Sequence, residues 1–86
     1  LHTSIKLLPA KADSGIIFKR TDVEKHKSII KAYYSSVSET RLNTTISNEY
    51  GVKVSTIEHL MAALCGIGID NIIIEIDNEE VPIMDG

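Results

Sequence analysis

An 86-residue chain is one small domain at most, close to the size at which a single core is only marginally stabilising. Its composition (43% hydrophobic, 24% charged, no tryptophan) is that of a globular chain. A net charge of −3 with scattered lysines and arginines leaves no basic stripe to neutralise phosphates, which counts against nucleic acid. No stretch approaches the roughly 20 apolar residues of a membrane span, and His2, Thr3, Ser4 and Lys6 interrupt any leader-like apolar run. The one cysteine, Cys65, excludes an intramolecular disulfide and suits a reducing, cytoplasmic setting. Its place beside Leu64 and Ile67 predicts a small core residue. The chain lacks an initiator methionine and stops just after an apolar segment, so both ends read as cuts through a longer protein.

In chain order, residues 3–8 predict a strand ended by Pro9, and residues 15–20 a second strand after turn residues 11–15. The charged stretch 21–27 reads as a solvated loop. Residues 28–37, rich in aromatic and β-branched side chains, favour strand. Residues 42–46 alternate apolar and polar, as a half-exposed strand does, and residues 48–51 supply a turn into 52–54.

The helix that follows is the firmest local signal. Ile57, Leu60, Met61 and Leu64 recur at i, i+3, i+4 and i+7, one apolar stripe, and Gly66 and Gly68 end it. Ser55 with Glu58 three residues on has the capping-box spacing, with Val54 able to staple against His59 or Leu60. Residues 71–77 carry a β-branched run typical of an interior strand, and residues 81–84 an extended tail around Pro82. Strands with one strong helix predict an α+β domain, a β-sheet packed against helices.

Glu58 and His59 are the only carboxylate and imidazole that adjoin within an apolar-periodic segment. Two readings of each stand open. Glu58 is either the capping-box partner of Ser55 or a general base acting on water at a metal. His59 is either an ordinary surface histidine or a metal ligand, with small Ala62 and Ala63 leaving room for approach. Catalytic zinc takes three protein ligands, and the two-histidine helix pattern fails here because position 63 is alanine. Any zinc at His59 therefore needs ligands from elsewhere. The Asn43-Thr44-Thr45 sequon reads as chance, and Asp77, Glu79, Glu80 and Asp85 as a solvated acidic turn.

Several strings together resemble one family. They are Leu1-His2-Thr3-Ser4, Gly15-Ile16-Ile17-Phe18-Lys19-Arg20-Thr21-Asp22, Thr40-Arg41-Leu42-Asn43-Thr44-Thr45, Val54-Ser55-Thr56-Ile57-Glu58-His59-Leu60, Ala62-Ala63-Leu64, Gly66-Ile67-Gly68-Ile69-Asp70-Asn71 and Val81-Pro82-Ile83-Met84-Asp85-Gly86. In order and over nearly the whole chain they resemble the N-terminal domain of the LpxC family, the UDP-3-O-acyl-N-acetylglucosamine deacetylases of lipid A synthesis. The helix and the last string are the most specific; Ser4 stands where the family often has glycine.

The resemblance implies a first domain spanning residues 1–86 of a two-domain zinc amidohydrolase, each domain a sheet with two helices and the active site between them. It implies His59 as the one zinc ligand from this domain and Glu58 as the general base that activates the attacking water. Leu42 and Asn43 fall where the family's small inserted sheet lines the substrate cleft, Asn43 through its backbone alone because some relatives have cysteine there. His2 matches a histidine near that cleft. The implied partners are an acylated UDP-sugar substrate and a C-terminal domain that brings the other zinc ligands, a catalytic histidine and the acyl-chain passage. By itself the segment is then expected to be inactive. The rival reading is a non-enzymatic α+β interaction module in which Glu58 and His59 are cap and surface.

Overall fold

The computed structural model describes residues 3–32 and 45–82. Among these residues, six strands and one α-helix follow in chain order: β1 (Ile5–Pro9), β2 (Ile16–Arg20), a 3₁₀ turn (Lys25–Lys27), β3 (Ile29–Ala32), β4 (Thr45–Ser47), β5 (Lys53–Ser55), α1 (Glu58–Ile67) and β6 (Ile72–Ile76). Four of the strands form a sheet in the order β1-β6-β2-β3, and β4 and β5 pair in a second, two-stranded sheet. The fold is α+β, as the sequence pattern predicts.

Alternation decides which face of the larger sheet is covered. In β2 and β6 every second residue is buried: Ile16, Phe18 and Arg20 on one strand, Ile72, Ile74 and Ile76 on the other. These two strands run parallel at the centre, in register Ile16↔Ile72 to Arg20↔Ile76. Antiparallel edges flank them, β1 against β6 and β3 against β2. Because side chains alternate across a strand, the opposite face carries Lys6, Leu8, Ile17, Lys19, Ile29, Lys31, Ile73 and Glu75, all half-buried or exposed. Cross-strand partners Lys19 and Glu75 form an ion pair there at 3.9 Å.

The covered face meets α1. Ile57, Leu60, Met61 and Leu64 join Phe18, Ile30, Ile74, Ile76, Val54 and Val81 in one apolar cluster. The helix stops at Gly68, whose φ of 77° is the left-handed C-cap conformation and whose N–H reaches back to the carbonyls of Leu64 and Cys65.

Three expectations need correction. Pro9 does not stop the first strand before itself but is its last residue, paired with Ile72; an edge strand tolerates the missing N–H. Cys65 is exposed, because one position beyond Leu64 on a 3.6-residue turn lies off the apolar stripe. Ser55 is not the helix N-cap. It ends β5, its N–H donating to the Glu79 carbonyl (2.7 Å) and its carbonyl accepting from Val81 N–H (3.0 Å). Ile57 stands at the N-cap with no side-chain cap, so Ser55 is not the cap residue that a capping box requires.

Two polar clamps fix the smaller sheet against the larger. Asn48 Nδ2 donates to the carbonyls of Lys27 and Ile29 (2.7 and 2.9 Å), while its Oδ1 accepts from Tyr50 and Val52 N–H within the β4–β5 turn. Gly51 closes that turn at φ 79°. Arg20, 9% exposed, reaches from β2 to donate through Nη1 to the Lys53 carbonyl of β5 at 2.7 Å. Its other nitrogens, Nε and Nη2, form a bidentate pair with the Asp22 carboxylate, both at 2.7 Å. Among the described residues no helix is long and apolar enough to cross a membrane.

Candidate metal-ligating and catalytic site

The chain turns sharply between β5 and α1. Thr56 has φ 63°, a left-handed backbone unusual for a β-branched residue. Ile57 then enters the core with no exposed surface, and the helix begins at Glu58. Glu58, half-buried, and His59, exposed, therefore occupy the first turn, where the orphan N–H groups of a helix favour negative charge.

Beside them runs a groove of about 410 Å³ lined by Ile5, Leu7, Thr56, His59, Leu60, Ala63, Val81 and Pro82. Among the described residues that line it, Thr56 and His59 contribute the polar side chains and the others are apolar. His59 and Ala63 are four residues apart, hence neighbours on one helix face, and the methyl group of Ala63 leaves space next to the imidazole. An accessible imidazole on a low-polarity wall with an adjoining carboxylate suits a single zinc ligand with a base beside it. It does not make a complete centre: among the described residues no three His, Cys, Asp or Glu side chains cluster.

The other candidates fall elsewhere. His26 lies in the 3₁₀ turn, 3.6 Å from a Glu24 carboxylate oxygen and edge-on to Tyr50 with ring centroids 5.8 Å apart, and it does not line the groove. His2, Leu42 and Asn43 lie outside the described residues, as does Asp85. Of the acidic turn, Asp77, Glu79 and Glu80 are exposed, and Asp77 Oδ1 accepts from Ser4 N–H at 2.7 Å.

Electrostatic perturbation gathers at the clamp behind the corner. Hydrogen bonds from the Arg20 guanidinium hold the Asp22 carboxyl below its ordinary range, against the opposing effect of burial. The same bonds raise Arg20, also against burial. This pair braces β5 and hence the turn that launches α1.

Sequence reasoning singles out Glu58 and His59 but misses the groove. Ile5 and Leu7 come from β1 and Val81 and Pro82 from the segment after β6, more than 50 residues away along the chain. It also misses the left-handed Thr56, since threonine ranks low for that conformation and nothing local signals it.

Comparison with known proteins identifies a family. The family model described as UDP-3-O-acyl N-acetylglycosamine deacetylase, LpxC, matches residues 1–86. A UDP-3-O-acyl-N-acetylglucosamine deacetylase of Pseudoalteromonas atlantica is 52% identical over 83 residues, covering 96% of this chain and 27% of that protein. Proteins of the same name from Phenylobacterium zucineum and Chromobacterium violaceum are each 49% identical over 85 residues, covering 99% of this chain and 29% and 28% of theirs. The chain thus spans under a third of the length of the curated relatives it matches. With a match over its whole length and about half its residues identical to these relatives, the chain belongs to the UDP-3-O-acyl N-acetylglycosamine deacetylase (LpxC) family.

Proposed function

We propose that this chain is the first domain of a cytoplasmic zinc-dependent amidohydrolase that removes acetate from an acylated UDP-glucosamine in lipid A synthesis. The observation that carries the reading is the placement of Glu58 and His59 side by side in the first turn of α1, His59 on the wall of the groove, within a chain of this family. His59 is the one zinc ligand from this domain. Glu58 accepts a proton from the water that attacks the amide carbonyl and is held near it by the helix start. Zinc, when bound, polarises the carbonyl and makes the water more acidic. The remaining ligands, and the acid that protonates the departing amine, come from the second domain. Substrate contact by His2, Leu42 and Asn43 belongs to the same reading.

The test is a pair of substitutions in the full-length enzyme. Glu58→Gln is expected to lower kcat by about 10²- to 10⁴-fold, the range for loss of a general base, with zinc content by metal analysis unchanged. His59→Ala is expected to lower zinc content. If both variants kept turnover and metal and lost only thermal stability, the chain would be an interaction module with a helix start of no catalytic use.

A further inference from the structure

We propose that Thr56 and Glu80 form a positioning pair that sets the direction in which α1 leaves β5, and so the placement of Glu58 and His59. The inference rests on the reading of those two residues given above. Among the described residues, only Asp13 and Thr56 are non-glycine residues with positive φ. Aspartate tolerates that region because its short polar side chain bonds locally. A β-branched threonine does not, and such outliers persist only where surrounding contacts over-determine them.

Those contacts are present on both sides of Thr56. The end of β5 is tied to segment 79–81: Ser55 N–H donates to the Glu79 carbonyl, Val81 N–H donates to the Ser55 carbonyl, and Ser55 and Glu80 form a parallel bridge. The Thr56 hydroxyl then donates to Glu80 Oε1 at 3.3 Å. Past it, Ile57 is locked in the core. Thr56, itself 9% exposed, is therefore the hinge between a hydrogen-bonded strand end and an anchored helix start, and its hydroxyl bond to the exposed Glu80 is part-buried. Glycine would take this φ without strain. What threonine adds is the hydroxyl, and its partner comes from the segment that runs on into groove residues Val81 and Pro82. The same clip joins the helix start to the segment that carries groove residues Val81 and Pro82.

The hydroxyl and the backbone conformation can be separated in the full-length enzyme. Thr56→Gly keeps the turn and removes the bond; Glu80→Ala removes the acceptor; Glu80→Gln keeps an acceptor oxygen, and Thr56→Ser keeps the donor. Thr56→Gly and Glu80→Ala are expected to lower kcat about tenfold with little change in KM, and to weaken zinc retention several-fold in chelator competition. Thr56→Ser and Glu80→Gln are expected to recover most of both. Thr56→Gly should melt no lower than the parent, which separates positioning from general destabilisation. The proposal is overturned if Thr56→Gly and Glu80→Ala change only the melting temperature, or leave kcat and zinc retention as they are. Glu58→Gln and His59→Ala run alongside: if these two leave activity and zinc intact, the reading of the site fails; if they behave as expected while the Thr56 and Glu80 variants do not, the positioning role alone fails.

Discussion

Arg20 shows how much one side chain decides in a domain this small. It is buried on the covered face of β2, where an alkyl residue would be expected from the alternation, yet every nitrogen finds an acceptor: two on the Asp22 carboxylate and one on the Lys53 carbonyl. The consequence is a pH dependence with a definite sign. Asp22 has a folded-state value below its unfolded one, so its contribution is fully present above the ordinary carboxylate range and is lost as pH falls through the depressed folded value. Asp22→Asn should therefore lower stability at neutral pH, where that contribution is fully present, and flatten the acid limb of a stability–pH profile measured by urea midpoints below about pH 4. An unchanged acid limb would mean that the bidentate pair does not form in solution. Removal of the cation acts differently. Arg20→Met strips the Lys53 carbonyl of its partner, and about 1–3 kcal/mol of destabilisation is expected for such an orphaned group. The residue pattern of β2 signals a strand but is silent on this clamp, because its two targets lie on either side, one close in sequence and one on β5.

At the scale of elements, α1 is the piece whose internal logic was most legible. The stripe of Ile57, Leu60, Met61 and Leu64 is buried as its spacing requires. Leu64, 2% exposed, faces the sheet, and Leu64→Ala should cost about 2–5 kcal/mol depending on how far the site collapses. Gly68→Ala should cost about 1 kcal/mol through the left-handed cap. Thermal or chemical unfolding of both variants checks the ranking: if Gly68→Ala proved the more damaging, the helix would owe more to its cap than to its stripe. The start of the helix was misread for a physical reason. Ser55, with Glu58 three residues on, has the capping-box pattern, but its backbone is taken up by the strand ladder to Glu79 and Val81, and a residue in extended pairing does not also begin a helix. That competition between a local motif and a long-range ladder is not visible in the local sequence. Cys65 was misplaced for a simpler reason: apolar neighbours in sequence are not neighbours on a helix surface.

For the whole molecule, the groove beside His59 is assembled from β1, α1 and the segment after β6, so its shape follows from the sheet order rather than from any one motif. One accessible imidazole gives a concrete expectation. The 86-residue chain alone should bind zinc weakly and show no deacetylase activity, because a catalytic zinc site takes three protein ligands and no group of three ligating side chains clusters among the described residues. Tight stoichiometric zinc binding to this chain in calorimetry would overturn that. The same titration with the full-length enzyme should give tight binding that His59→Ala abolishes.

What the sequence determined by itself was every element whose cause is local: the strand at β2 and the β-branched run at β6, the 3.6-residue stripe of α1, the turn at Asn48 to Gly51, and the adjacency of Glu58 to His59. Its family strings also named the family that the comparisons show. What only the tertiary structure decided was what those pieces do to one another. The parallel register of β2 and β6 places Arg20 where it can reach β5, and the ladder from Ser55 to segment 79–81 displaces the expected cap. Thr56 is thereby held in a conformation its own chemistry disfavours. Contacts between residues more than 20 positions apart arise from the packing of whole faces, and no periodicity within a window of ten residues encodes them.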